Sequence, residues 1–203
     1  MLSENGKTSA PGAAMMGRTS IMECGMAAKQ PQRFQFDRLD TPIGTALLVT
    51  DDEGFLRALD WSDYEERLHH LLRRHYGDYA LDKAAAPRSI TSALTGYFSG
   101  DLDQLRNIRW RTNGSAFQRK VWNGLHKIRA GKTSRYSAFA RRLKVPKAAR
   151  AVGLANGTNP VSVVVPCHRL IGADGSLTGY GGGLPRKQWL LAHEGAAFKR
   201  LPE

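Results

Sequence analysis

Residues 159–169 read Asn-Pro-Val-Ser-Val-Val-Val-Pro-Cys-His-Arg. β-Branched residues favour an extended backbone, so the valine-rich run predicts a strand that ends at Pro166 and presents Cys167 at its end. The next residues, His168 and Arg169, are of the kind that lower the pKa of a neighbouring thiol from its reference value of about 8.5. The pattern therefore fits an activated nucleophile, and it fits a buried structural cysteine beside a histidine equally well.

Two short helices are predicted immediately before this stretch, over residues 136–143 and 147–156. The turn between them contains Pro146, which is expected at the start of the second helix. Such a pair is typical of a helix-turn-helix, although helical hairpins in proteins that do not bind DNA look similar. The second helix consists almost wholly of small residues around a single arginine, Arg150, and small side chains let a helix backbone approach its partner closely.

The first half of the chain alternates strand-like and helical patterns. Apolar runs separated by the acidic turn 51–54 predict a small antiparallel sheet followed by helices. Residues 108–115 are interpreted as a linker, and Ser115 is placed to cap a helix that carries Phe117 and Trp122 on its apolar side. The predicted strands cover residues 34–36, 45–49 and 55–61, and the predicted helices cover residues 65–76, capped by Asp63, and 90–98.

Together these patterns predict an α+β fold in three parts. Residues 1–30 lack sustained periodicity and are expected to form a disordered tail. Residues 31–108 are expected to form a mixed α/β domain. Residues 109–203 are expected to form a mainly helical domain that carries the helix-turn-helix and the active-site cysteine.

The charge of the chain is divided unevenly. Residues 1–103 hold 11 Lys and Arg against 15 Asp and Glu, whereas residues 104–203 hold 19 against 3, so the net charges are −4 and +16. A compact segment this basic favours a polyanionic partner, because Lys and Arg neutralise phosphates and release counterions. No amphipathic helix with an aromatic face accompanies the charge, so nucleic acid is favoured over an anionic membrane.

Composition argues against several other classes of protein. The two cysteines, Cys24 and Cys167, are too few for a disulfide framework and are expected to be free thiols. No run approaches the roughly 18 apolar residues of a membrane span, and no signal peptide is evident, so a cytoplasmic location is expected. His69, His70 and His75 fall on a charged helix without matching ligands, which predicts a solvated face and no metal site.

The motifs around Cys167 occur in an order that resembles the methylated-DNA-protein-cysteine methyltransferases. The resemblance is dense over about residues 115–195 and looser from about residue 34. It rests on Phe117-Gln118, Val121-Trp122, Arg150-Ala151-Val152-Gly153, Asn159-Pro160, Pro166-Cys167-His168-Arg169, Gly179-Tyr180-Gly181-Gly182-Gly183 and Trp189-Leu190-Leu191-Ala192-His193-Glu194-Gly195.

The resemblance implies a ribonuclease-H-like first domain and direct-reversal repair of 6-O-alkylguanine in DNA. Cys167 would take the alkyl group irreversibly, once per molecule. His168 would be linked to the thiol through a water and oriented by Glu194, as the base and its partner are in a nucleophilic triad. Asn159 would brace the segment that carries the site, and Tyr136 would aid backbone rotation and hydrogen-bond the extruded base.

The resemblance also implies how DNA is held. The small-residue helix would enter the minor groove, which is only about 6 Å wide, and Arg150 would fill the place that the extruded base leaves. Gly181 stands where some relatives have serine, so a hydroxyl contact to the base is not expected here. The implied DNA contacts are Tyr136, Ser137, Ala149, Arg150, Ala151 and Gly153, and the implied base pocket comprises Leu170, Tyr180 and Gly181.

The implied partner is double-stranded DNA that contains alkylated guanine, bound by a monomer without cofactor, membrane or obligate protein partner. The resemblance leaves open whether 4-O-methylthymine is a second substrate. The main alternative is a lesion-sensing DNA-binding protein without transfer chemistry, which the presence of Cys167 disfavours. A cysteine hydrolase would leave the small-residue helix unexplained, and a regulatory relative with a zinc-bound cysteine cluster would need cysteines near Cys24.

Overall fold

Four strands form one sheet in the first half of the chain: β1 (Gln32–Thr41), β2 (Gly44–Thr50), β3 (Leu56–Trp61) and β4 (Tyr79–Lys83). Their order is β3-β2-β1-β4, and β1 runs parallel to β4 while the other pairs are antiparallel. The computed structural model describes residues 30–202. The predicted tail before residue 30 and Cys24 therefore lie outside the described residues.

The helix α1 (Glu65–Tyr76) covers one face of this sheet, with the bounds that its amphipathic spacing predicts. Leu68 and Leu72 of the helix pack against Leu47 and Val49 of β2. Because the helix carries the chain back across the sheet, the next strand, β4, pairs in parallel with β1. The three predicted strands pair antiparallel as expected, and β4, which was not predicted, adds a parallel edge.

The start of α1 differs from the prediction. A 3-10 turn, Ser62–Tyr64, precedes the helix, and Asp63 makes no capping hydrogen bond. Its carboxylate instead accepts a hydrogen bond from Arg186 at 2.9 Å. The negative charge thus links the first half of the chain to the C-terminal part rather than capping the helix.

Among the described residues, five further helices and a two-stranded sheet complete the fold. Ser115 caps α3 as predicted, with a capping box in which its hydroxyl accepts from Gln118 N at 3.2 Å and the Gln118 side chain accepts from Ser115 N at 2.9 Å. The helices are α2 (Arg88–Phe98), α3 (Ala116–His126), α4 (Tyr136–Arg142), α5 (Ala149–Gly157) and α6 (Leu184–His193), and the strands are β5 (Ser134–Arg135) and β6 (Leu170–Ile171).

The turn between α4 and α5 is longer than the prediction. Lys144 adopts a positive φ of 59°, which ends α4 in the left-handed conformation common at helix C-termini. Pro146 lies within the turn rather than at the start of α5, which begins at Ala149. α5 is therefore short, and its small residues are anchored through Trp122 of α3, whose indole donates to Ala155 O at 2.8 Å.

The hydrophobic core is continuous between the two halves of the chain. Leu59 N of β3 donates to Pro160 O at 2.9 Å, and Ser162 N donates to Leu59 O at 3.0 Å, so the segment before Cys167 extends the sheet by one bridge. Leu59, Trp122 and Val163 belong to one buried cluster. The division into domains near residue 108 stays a prediction. Among residues 30–202, no helix has the length and apolar character that crossing a membrane requires.

Candidate active site

Cys167 lies on a tight turn rather than at the end of a strand. After the single bridge at Val161, the chain turns through Val163, which has a positive φ of 69°. Val165 N donates back to Val161 O at 3.0 Å, and Cys167 then begins the 3-10 turn Cys167–Arg169. The strand prediction is wrong here, because local hydrogen bonds override the β-preference of the valines.

Asn159 supplies the bonds that shape this turn. Its Nδ2 donates to Val165 O at 2.8 Å and to Val161 O at 3.3 Å, and its Oδ1 accepts from Val161 N at 3.1 Å. The same Nδ2 lies 3.2 Å from Cys167 Sγ. Asn159 is fully buried, so it both fixes the backbone and places a donor beside the thiol.

Burial raises the pKa of the Cys167 thiol above its usual value. The hydrogen bond from Asn159 and the charges of Arg67 and Lys187 lower this pKa without offsetting burial. The expectation that His168 and Arg169 would lower it is wrong, because Arg169 points away and binds Glu194. The resting thiol is therefore protonated at neutral pH and needs a base to become a nucleophile.

A buried carboxylate, Glu194, collects the polar groups behind Cys167. His168 Nε2 lies 2.9 Å from its Oε1, Arg169 binds both oxygens at 2.7 and 2.9 Å, and the Tyr97 hydroxyl donates to Oε1 at 2.8 Å. Burial alone would raise the pKa of Glu194, but His168 and Arg169 outweigh it and hold this pKa below its ordinary range. We call these four residues, together with Cys167, the relay.

The state of His168 follows from its surroundings. Burial lowers the pKa of His168 more than Glu194 raises it, so the imidazole is neutral at neutral pH. Its Nε2–H donates to the carboxylate, which leaves Nδ1 as the basic atom. Nδ1 is buried and has no hydrogen-bond partner within residues 30–202. The relay therefore offers one unused proton acceptor next to the thiol's own turn.

An open cleft of about 620 Å³ lies between α4, α5 and the loop before α6. Tyr180 links the cleft to the relay, because its ring lies edge-on to His168 with centroids 6.4 Å apart. Burial raises the pKa of Tyr136, so its phenol stays protonated and able to donate. The cleft is lined by Tyr136, Ala149, Arg150, Gly153, Asn156, Gly157, Thr178, Gly179, Tyr180 and Gly181.

The cleft brings together most of the residues that the sequence assigned to DNA and to the base. Ser137 and Ala151 are exposed beside it, on the first turn of α4 and on α5. Leu170 is the exception: it is fully buried in the core and lies outside the cleft lining. β6 pairs with β5 at this residue, so its side chain is directed by sheet packing rather than by the pocket.

The segment from β5 through α5 carries a set of cations, which we call the rim, and one of them, Arg150, lines the cleft. These cations are exposed, and none of them forms a salt bridge in the part of the chain that the structure describes. Exposed, unpaired cations are available to phosphates. The residues of this rim are Arg135, Arg141, Arg142, Lys144, Lys147 and Arg150.

Three polar residues near the site escaped the sequence analysis. Lys187 is fully buried, and its Nζ donates to Leu170 O and Thr178 O, each at 2.6 Å. Burial lowers its pKa to about 8. Its spacing with Leu190 and Leu191 on α6 would have marked it as inward-facing. Tyr97 and Arg67 come from distant parts of the chain and carry no such local signal.

Two of the three histidines of α1 differ from the expected solvated face. His69 is half-buried and hydrogen-bonds the hydroxyl of Tyr79. His75 is half-buried and lies edge-on to Trp122, with ring centroids 5.6 Å apart. Burial lowers its pKa. It therefore packs the first half of the chain against the second. Within residues 30–202 no group of three or more His, Cys, Asp or Glu is arranged to hold a metal ion.

The sequence of this chain is similar to those of known proteins. The family described as "6-O-methylguanine DNA methyltransferase, DNA binding domain" matches residues 116–196. A methylated-DNA-protein-cysteine methyltransferase of Salmonella typhimurium is 44% identical over 161 residues, which cover 78% of this chain and 94% of the relative. One from Mycolicibacterium paratuberculosis is 54% identical over 111 residues, which cover 53% of this chain and 67% of the relative.

Solved structures of methyltransferases are also similar to this chain. The crystal structure of Mycobacterium tuberculosis OGT in complex with DNA superposes with a TM-score of 0.67 at 39% identity, covering 79% of this chain and 92% of that one. The O6-methylguanine-DNA methyltransferase of Pyrococcus kodakaraensis shares the fold, with a TM-score of 0.63 at 24% identity and coverage of 80% and 99%. The mixed α+β architecture is thus common to these proteins.

Proposed function

Because the chain belongs to the methylated-DNA-protein-cysteine methyltransferases, we propose that Cys167 is the residue that accepts the alkyl group. The protein performs direct-reversal DNA repair, in which an alkyl group passes from a DNA base to a cysteine of the protein itself. Cys167 lies inside the matched segment, residues 116–196, and Cys24 lies outside it. The substrate that we assign is 6-O-alkylguanine in double-stranded DNA.

The observation that carries this proposal is the buried relay on the turn of Cys167. The thiol is protonated at rest, His168 is neutral, and Glu194 is ionised and held by Arg169. A neutral imidazole whose Nε2–H is bound to a carboxylate is suited to take a proton at Nδ1. In our proposal His168 removes the proton of Cys167 through a bridging water, and Glu194 stabilises the resulting imidazolium.

The transfer itself is a displacement at the alkyl carbon. The Sγ–C bond forms as the C–O6 bond breaks, and the electron pair of that bond goes to the 6-oxygen of guanine. The guanine anion takes up a proton at N1, and the imidazolium of His168 gives up the proton of the thiol to balance it, so an ordinary guanine is left in the DNA. In our proposal Tyr136 donates to the extruded base, and Tyr180 and Gly181 form the base pocket; all three line the cleft.

The product limits the protein to one turnover. A thioether at an unactivated carbon has no good leaving group at neutral pH, so the alkyl group stays on Cys167. The reaction is stoichiometric, and each molecule repairs one base. No cofactor takes part in this scheme.

We assign the DNA-binding surface to α4 and α5, as a helix-turn-helix. Arg150, Ala151 and Gly153 lie on or beside the cleft, where a narrow helix fits the minor groove and Arg150 enters the stack. The first half, with its sheet and crossover helix, is assigned a ribonuclease-H-like architecture. We further propose that the protein acts as a monomer and in the cytoplasm.

Mass spectrometry tests the acceptor directly. The protein is incubated with a duplex that carries one 6-O-methylguanine, and the intact protein and its peptides are weighed. The proposal predicts a gain of one methylene on the peptide that contains Cys167, saturating at one per chain when the lesion is in excess. A methylene on Cys24, or none at all with lesion binding intact, would overturn the assignment of Cys167.

A further inference from the structure

The glycine loop before α6 rests on side chains from the first half of the chain. A Cβ at Gly181 would overlap the guanidinium of Arg67, and a Cβ at Gly182 would overlap the indole of Trp61. These side chains belong to α1 and β3, far from the loop in sequence. The loop therefore has no room for side chains at these positions, because the first half of the chain already fills that space.

Arg67 is held in this position by three anchors. Its Nη1 pairs with the fully buried carboxylate of Asp60. Its Nη2 donates to Gly157 O at 3.0 Å, at the end of α5, and to Asn159 O at 3.2 Å. Asn159 in turn bonds the turn of Cys167 and its sulfur. One guanidinium thus ties together α1, α5, the glycine loop and the residue that positions the thiol.

We propose that Arg67 is a positioning residue for alkyl transfer, which sets the wall of the base pocket at Gly181 and the turn of Asn159 from the opposite half of the chain. Arg67 and Gly181 form a matched pair, since the guanidinium occupies the space that a side chain at residue 181 would need. This inference rests on the proposed role of Cys167 as acceptor. It assigns the first half of the chain a part in positioning the reacting groups.

The charge of Arg67, like its position, supports the reactive form of Cys167. It favours the thiolate and so lowers the pKa of Cys167, as Lys187 does, while the carboxylate of Asp60 opposes both. Burial raises the pKa of Asp60 to about 6, although Arg67 lowers it. The titratable groups that face Cys167 are Asp60 from β3, Arg67 from α1, Tyr136 from α4, His168 from its own turn, Tyr180 from the glycine loop and Lys187 from α6.

The first test compares Arg67→Met and Arg67→Lys with Arg38→Met as the matched control. Arg38 also belongs to the first half of the chain and pairs with a carboxylate, Glu65, but on an exposed surface. The readout is the single-turnover rate on free 6-O-benzylguanine between pH 6 and 10, with folding checked by circular dichroism. The free base is used because its reaction does not depend on DNA binding.

We expect Arg67→Met to slow the reaction about tenfold at neutral pH, as a misplaced reacting group does, and to move the midpoint of the pH profile upward. Arg67→Lys should restore the midpoint, because it keeps the charge, but only part of the rate, because it lacks the forked donors. Arg38→Met should match the wild type. Wild-type rate and midpoint in a folded Arg67→Met protein would overturn the inference.

The second test is a double-mutant cycle between the members of the matched pair. Gly181→Ser is made in the wild type and in Arg67→Ala. We expect the serine to slow the reaction about tenfold beside Arg67 and less than twofold without it, because removal of the guanidinium leaves room for the side chain. An equal loss in both backgrounds would contradict the pairing.

The wild-type protein distinguishes a failure of the Cys167 assignment from a failure of the role proposed for Arg67. If it gains no alkyl group on Cys167, the acceptor assignment fails irrespective of Arg67. If it gains one while Arg67→Met and the cycle show no effect, only the role of Arg67 fails.

Discussion

The relay around Cys167 and the basic rim on α4 and α5 are built in opposite ways. In the relay, His168, Arg169 and Glu194 are buried, and the carboxylate accepts hydrogen bonds from the other two. On the rim, Lys147 and Arg150 are exposed and make no salt bridge within the described residues. Burial strengthens the electrostatics that a proton transfer needs, whereas exposure keeps cations available to phosphates. Changes in the relay should therefore affect every substrate, and changes on the rim only substrates that arrive in a duplex.

The largest expected effect is that of Cys167→Ser. The hydroxyl is a far weaker nucleophile than a thiolate, so transfer to protein should be abolished for both free 6-O-benzylguanine and duplex lesions. Duplex binding, measured by fluorescence anisotropy, should stay within about twofold of wild type, because the rim is untouched. Transfer that persists in this variant would show that the acceptor is another residue.

Glu194→Gln should damage the relay without touching the rim. The amide cannot stabilise an imidazolium as a carboxylate does, so the rate should fall about 100-fold on both substrates. Arg169 would also lose its buried counter-charge, which should cost about 3 kcal/mol of unfolding free energy. Stopped-flow rates and urea unfolding measure the two effects. Glu66→Gln, an exposed change on α1, is the control and should leave both unchanged.

The stability that Glu194 supplies should depend on pH. Its pKa in the folded protein lies below its unfolded value, so its contribution is present above the unfolded pKa of about 4.3 and is lost as the pH falls toward the folded value. Glu194→Gln should therefore flatten the decline of stability below pH 5 relative to Glu66→Gln. Identical acid profiles would show that the carboxylate is not held by His168 and Arg169.

Arg150→Ala tests the rim and leaves the relay unchanged. Without the side chain that replaces the extruded base, the rate on duplex 6-O-methylguanine should fall about tenfold, since unstacking costs a few kcal/mol. The rate on free 6-O-benzylguanine should stay at the wild-type value. Arg73→Ala, an exposed arginine of α1, serves as the control. An equal loss on both substrates would remove Arg150 from DNA recognition.

Lys147→Ala should have the smallest effect. One fewer phosphate contact should reduce the slope of log affinity against log salt by about 1, with little sequence dependence. Lys83→Ala, which removes an exposed lysine from β4, should leave the slope unchanged. Anisotropy titrations between low and moderate salt measure both. A slope that does not change for Lys147 would place the phosphate contacts elsewhere on the rim.

The sequence predicted the regular elements better than the site. The bounds of α1 and the capping box of Ser115 follow from local spacing, which a linear pattern carries well. The turn of Cys167 was missed, because the preference of the valines for a strand is overridden by the side chain of Asn159. Such a bond competes with secondary structure and leaves no periodic signal.

The partners of the site were missed for a different reason. Tyr97 reaches Glu194 across 97 positions of the chain, and Arg67 reaches Asn159 across 92. Contacts this distant depend on how the two halves pack, and a single sequence has no periodicity that encodes them. The resemblance supplied His168 and Glu194 as a pair, but only the packing placed Arg169 on the same carboxylate.

The measurement that tests the account most directly is a crossed comparison of Glu194→Gln and Arg150→Ala. Each is assayed in single turnover on free 6-O-benzylguanine and on a duplex with one 6-O-methylguanine, with methylated Cys167 quantified by mass spectrometry. We predict that Glu194→Gln slows both reactions by the same factor and that Arg150→Ala slows only the duplex reaction. If Glu194→Gln spares the free base, or Arg150→Ala slows it equally, the separation of a buried relay from a DNA-binding rim would be contradicted.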